Sequence, residues 1–218
     1  MVISIKKSDF ALWGWWVLAA ILGRAVYYFI ENSFDLPVLI AAGLISGLTR
    51  ALPQWAVLAN RLRRADLWAT ATFLGVSANA VLIFYAQDRI QTAYVSIDGG
   101  SMLSFFVFFP LLHAAQNALI GFFQWVALRN EVHRAGHWVW GAALGGAVSS
   151  LVNLALLTLI LRVAQGQNVA GWLEPAIALI TTAVRTSITG AFLVWLLHRP
   201  KEAPDAEIPP EPIEESVV

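Results

Sequence analysis

The sequence predicts an all-α integral membrane protein: six transmembrane helices forming three parallel helical-hairpin repeats, with both termini cytoplasmic. Composition, six long apolar runs and a segment written twice carry that prediction. Of 218 residues, 58% are hydrophobic and 13% charged, about half the charged share of a soluble domain, so lipid is the expected solvent. The apolar runs cover roughly 10–30, 36–60, 67–87, 102–128, 138–164 and 173–197. Crossing a bilayer core takes about 20 apolar residues. Runs of that length without two-residue alternation are helices, which satisfy their own backbone in hydrocarbon.

The doubled segment is Gln54 to Trp68, QWAVLANRLRRADLW, which returns as QWVALRNEVHRAGHW from Gln124 to Trp138. Seven of the fifteen positions are identical. Each copy closes an apolar run on Trp, passes through a basic turn and opens the next run with Trp, as a helix leaving a bilayer and one re-entering it would. Odd runs share a second register, Trp16/Leu22/Gly23, Trp68/Leu74/Gly75 and Trp138/Leu144/Gly145. Even runs end on Trp55, Trp125 and Trp195, each four residues after Ala51, Gly121 or Ala191. Three hairpins in one orientation account for this pattern, a parallel repeat of the kind used in several membrane folds.

Residues 1–9 form a short cytoplasmic N-terminus with Lys6 and Lys7, ahead of 21 apolar-rich residues from Phe10 to Ile30. A cleavable signal has a shorter apolar core, roughly 7–15 residues, so the first run is read as a retained span. Lys6, Lys7, Arg61, Arg63, Arg64, Arg129, Arg134, Arg199 and Lys201 fall on one side of the predicted spans, against Arg89 and Arg162 on the other. Positive residues accumulate on the cytoplasmic side, which places both termini inside. Trp16, Trp55, Trp68, Trp125, Trp138 and Trp195 sit at the predicted cytoplasmic helix ends and are expected as interface anchors. Connection 88–101 is the longest, and its QTAYVSID segment reads as a lip or surface-lying stretch. The tail, 198–218, with five prolines and six acidic residues, is expected to be disordered.

The pattern small-x3-small-x2-Gln-Trp-x2-Leu, a basic turn with Arg-Ala-Gly/Asp, and then Trp resembles repeats in a group of uncharacterised bacterial multi-pass membrane proteins. The resemblance covers Gly47 to Trp68 and Asn117 to Trp138, with a degenerate third copy from Ser187 to Trp195 that has Val194 in place of Gln. It implies topology and carries no catalytic residue.

Charge inside a span is the first place to seek function. Arg50 and Arg185 lie near the middle of the second and sixth runs, whereas Arg24 is six residues from an end and within snorkelling reach. No Asp or Glu lies deep in any span. The central arginines therefore either hold an anionic ligand or lipid headgroup, for which guanidinium geometry is suited, or bond internally near Pro53 and to amides. His113, Gln116, Asn117 and Gln124 make a polar stripe on the fourth helix, facing a second-helix stripe of Gly43, Ser46, Gly47, Arg50 and Gln54. Such amides act as interhelical glue or line a pocket, and Asn79, Ser149, Ser150 and Asn153 offer the same two readings. Arg185 lies nearly opposite the sixth-helix face of Ala183, Ser187 and Gly190, so no shared three-arginine cage is expected. Glu131, His133 and His137 read as interfacial charge rather than a metal site, since no third ligand is placed.

Zero formal charge gives no drive toward nucleic acid. The chain has no cysteine, which removes disulfides and thiol chemistry. No nucleophile elbow, phosphate loop or intramembrane carboxylate pair is present, so neither an enzyme nor a cofactor is expected. The function expected is a non-catalytic membrane component that binds membrane lipid, an anionic lipid or small anionic ligand, or a partner membrane protein (a second copy included). The alternative is a small transporter or substrate-binding subunit for an anionic solute.

Overall fold

A computed structural model describes residues 7–33, 39–96, 101–164 and 170–198. These residues form six helices and no strand: α1 Lys7–Ser33, α2 Leu39–Leu58, α3 Ala65–Ser96, α4 Met102–Leu128, α5 His137–Ala164 and α6 Ala170–Leu197. Five are long and apolar enough to cross a membrane: α1, α3, α4, α5 and α6. The exception, α2, carries Arg50, Pro53 and Gln54 within 20 residues, and these lower its mean hydropathy. The acidic tail beyond His198 lies outside the described residues.

Each helix packs against its neighbours in sequence, α6 returns to pack against α1, and among the described residues no pair packs across the middle. The six helices therefore form a closed ring around an interior of their own. Each of the six seams of that ring has a glycine at a close approach. A Cβ on Gly47 would come 3.0 Å from Phe73 O on α3; on Gly75, 3.2 Å from Ile120 Cα on α4; on Gly121, 2.8 Å from the Ala142 Cβ on α5. Gly141 meets the Phe192 ring of α6, and Gly190 meets Trp13 and Trp16 of α1. At the α1–α2 seam Gly23 lies against the Thr49 carbonyl, the group that Pro53, having no N–H, leaves without its helical donor. Lipid supplies little hydrophobic drive between helices, so close backbone approach is what holds such a ring together. The second-helix glycines thus face α3 rather than the polar stripe of α4, because each helix in a ring uses two seams and keeps the space between them for the interior.

Replacing Gly146 with alanine tests this close fit. The added methyl would lie 2.5 Å from His113 O and 2.6 Å from Asn117 Nδ2 on α4, and a backbone carbonyl cannot yield without moving its helix. A stability loss of about 1–3 kcal/mol is expected, read as a lower melting temperature in detergent. Gly14→Ala, with nothing within 4 Å, should be neutral or mildly stabilising by helix propensity.

The side chains are sorted in the reverse of a water-soluble protein. Leu18, Leu22, Phe29, Leu111, Trp140 and Leu159 are exposed on the outside, whereas Gln54, Thr72, Gln124, Ser149, Ser150, Thr182, Thr186 and Thr189 are buried. Apolar atoms outside and hydrogen-bonding groups inside suit a hydrocarbon solvent.

One end of the ring is packed solid. Trp16, Trp68 and Trp138 meet edge to face at centroid separations of 5.8, 6.1 and 5.1 Å, upon a cluster with Leu58, Leu62, Leu128, Val132, Leu193 and Leu196. Glu131 crosses between the two turns at this end: its carboxylate oxygens accept from the Arg63 and Arg64 amides at 2.9 and 2.8 Å. His198 and Asp9, 3.2 Å apart, join α6 to α1. The three odd-helix tryptophans are therefore not surface anchors. Each is 1% exposed or less, because a ring of six helices leaves a hole that only large side chains fill. Trp55, by contrast, stays on the outside at 43% exposure.

At the other end α3 runs nine residues past its expected limit, to Ser96, so the part of the QTAYVSID segment up to Ser96 is helix rather than a surface-lying lip. Tyr94 explains the extension, since its ring packs on Phe105, Phe108 and Phe109 of α4 at 5.8, 5.9 and 5.4 Å.

Candidate functional site: an arginine chamber closed at one end

Above the tryptophans the ring is hollow. A chamber of about 350 Å³ takes lining residues from all six helices, among them Arg24, Arg50, Asn79, His113, Ser150 and Arg185. A further recess of about 50 Å³ lies between this chamber and the tryptophans. Its walls come in layers set by helical spacing. Four residues after each tryptophan stand Ala20, Thr72 and Ala142, and eight after come Arg24 and Val76 on α1 and α3. Residues four apart share a helix face, so the small side chains of the first layer leave the recess its width.

Arg24, Arg50 and Arg185 line both the chamber and the recess. The structure thus brings together the three arginines for which the sequence predicts no shared cage. Arg185 lies off the Gly190 face of α6, but that face is the seam with α1. On its other side the Arg185 stem lies 3.3 Å from where a Gly145 Cβ would be on α5, and between the two seams its side chain reaches the interior. Arg24 also turns inward rather than snorkelling: it shares the α1 face of Trp16 and Ala20, and its guanidinium lies 5.2 and 5.7 Å from the Tyr27 and Tyr28 rings. Among the described residues none of the three makes a hydrogen bond or salt bridge. Glu174 lines the chamber too; eleven residues from Arg185 on one helix is about 16 Å, so it lowers the net charge of the lining without pairing with Arg185.

The rest of the lining is polar and uncharged. His113 Nδ1 donates to Phe109 O at 2.9 Å and lies 3.4 Å from Ser150 Oγ. The Asn117 amide donates to His113 O at 2.8 Å, and Ser149 donates to Gly146 O at 3.0 Å. Gln116, Asn153, Thr181 and Thr182 complete the wall. On α6 the threonines bond backward, Thr186 to Thr182 O at 2.7 Å and Thr189 to Thr186 O at 3.3 Å. These bonds fix the hydroxyls.

At the floor the Gln124 amide ties three helices: it accepts from Trp138 Nε1 at 2.9 Å and donates to Thr72 Oγ1 at 2.9 Å. Trp16 Nε1 donates to Thr189 Oγ1 at 3.2 Å. The third tryptophan differs. Trp68 Nε1 and Gln54 Oε1 are both buried without a partner among the described residues, although they occupy the positions of Trp138 and Gln124 in the doubled segment.

Of the residues singled out from sequence, Arg50, Arg185, His113, Gln116, Asn117, Asn79, Ser149, Ser150 and Asn153 line the chamber, and Gln54 and Gln124 its floor. Glu131, His133 and His137 lie at the closed end, away from it. Sequence reasoning set Arg24 aside as a snorkelling residue and passed over Glu174 and the threonine ladder. Arg24 had one available signal, its i+8 spacing from Trp16, which becomes readable only when Trp16 is known to face inward. No family profile, curated protein or solved structure matches the chain.

Proposed function

We propose that the chain is a six-span protein of the bacterial inner membrane, three helical hairpins with both termini cytoplasmic, which binds an anion in its central chamber without chemical turnover. Its kinship with the repeat-containing bacterial membrane proteins belongs to the same proposal. The observation that carries the reading is the convergence of Arg24, Arg50 and Arg185, without hydrogen-bond or ion-pair partners among the described residues, on a chamber closed at one end. Taking charge out of water is costly unless it is paired, and guanidinium groups pair best with phosphate or carboxylate oxygens. A binding role is favoured over transport because the tryptophan triad and the leucines beneath it block the path through the ring. In this reading the chamber opens outward, and the binding component delivers or senses its ligand with a partner or alone.

Native mass spectrometry of gently extracted protein tests the binding role. An anionic small molecule or lipid is expected on the wild type and not on Arg50→Leu. Adduct-free protein carrying a copurified protein instead would make the arginines structural. Orientation is tested separately in this cysteine-free chain. Cysteines at Arg61 and Asp88 should label from opposite sides of the membrane, and same-side labelling would defeat the six-span arrangement.

A further inference from the structure

The geometry points to a phosphate monoester of a small polyol, such as a sugar phosphate, as the ligand class of the chamber. This rests on the anion-binding reading and narrows it. The first argument is charge. Three arginines against one glutamate among the lining residues give the lining as a whole an excess of two positive charges. A phosphomonoester near pH 7 carries about −1.5 to −2, which balances them, whereas a monocarboxylate or a phosphodiester supplies only one.

The second argument is the division of the space. The recess of about 50 Å³ suits a single compact anionic group and has all three arginines among its lining residues. The 350 Å³ above it is in the range of small-molecule sites, about 300–1,000 Å³, and calls for a body attached to that group.

The third argument is the chemistry of the wall. Asn79, Gln116, Asn117, Asn153, Ser150 and Thr182 offer amides and hydroxyls, which match the alternating donors and acceptors of a polyol. The Asn79 Oδ1 is a buried acceptor with no donor among the described residues, and a ligand hydroxyl would supply one. No Trp, Tyr or Phe is among the described lining residues, so a nucleobase would have only the His113 ring and the guanidinium planes to stack on. An aliphatic dicarboxylate fits the charge but leaves this wall unpaired.

The ester can arrive free in solution or as the headgroup of a lipid ending in a phosphomonoester, and the test separates the two. Full-length protein in phosphatidylcholine nanodiscs is titrated calorimetrically with glucose 6-phosphate, glucose, inorganic phosphate and succinate. A parallel set contains phosphatidylinositol 4-phosphate and is read by native mass spectrometry. The expected result is that glucose 6-phosphate binds at least tenfold tighter than phosphate or succinate, while glucose gives no heat. Arg50→Gln and, as a second variant, Arg185→Gln should abolish binding, and Asn79→Leu should bring the ester down to the affinity of phosphate alone. Retention of the phosphoinositide by wild type and not by Arg50→Gln, with weak binding of the free ester, supports the assignment with lipid as the source. Inorganic phosphate or succinate binding as tightly as the ester overturns the polyol assignment and leaves the anion-binding reading standing. No response to any anion and no retained phosphoinositide would overturn both.

Discussion

Trp138→Ala is expected to lose about 3–5 kcal/mol of stability, the range for truncating a large buried aromatic side chain. In a detergent melt this variant should fall furthest of the three tryptophan truncations. The ring is 1% exposed, contacts Trp68 and Trp16 at 5.1 and 6.1 Å, and donates to Gln124 at 2.9 Å. Phenylalanine at the same places separates packing from hydrogen bonding. Trp138→Phe keeps much of the ring but strands the Gln124 oxygen, an additional penalty of about 1–3 kcal/mol. Trp68→Phe removes an indole N–H that has no partner among the described residues, so it should lose little beyond ring volume. If Trp68→Phe and Trp138→Phe melt together, Gln54 pairs with Trp68 in the membrane, and the two copies of the doubled segment bond alike.

Arg50→Leu is expected to raise the melting temperature of ligand-free protein and to abolish stabilisation by anions. Replacing a buried charged group with an apolar one of similar volume is often neutral or stabilising by about 1–4 kcal/mol. Here the gain should lie toward the upper end, because Arg24 and Arg185 line the same chamber and like charges at close range repel. Wild type saturated with an anion at a hundred times its Kd should gain about 2.7 kcal/mol, and the variant none. A melting temperature that drops sharply in Arg50→Leu would show instead that Arg50 holds the ring together, and the anion-binding reading would lose its main support.

Much of the helix content was legible in the chain because hydrocarbon is a simple solvent. A segment of about 20 apolar residues has few alternatives to a helix there. The limits of α4 and α5 came out to the residue or one away. The end of α3 did not, since the polar residues from Asp88 onward read as a loop until Tyr94 finds the Phe105, Phe108 and Phe109 rings. The polar stripe of α4 was visible from its spacing alone. Which helix it faced was not, because a glycine or amide marks a seam without naming the neighbour.

The sequence by itself determined the solvent, the helices and the rarity of charge inside them, all of which follow from local composition and the fixed pitch of an α-helix. Closure was decided only by tertiary structure. Once α6 packs back on α1, inside and outside exchange for every residue lying between two seams. Trp16, Trp68 and Trp138 pass from supposed anchors to a plug, and Arg24 and Arg185 turn toward Arg50. No single helix carries that information, since which face is interior depends on the placement of both neighbours at once.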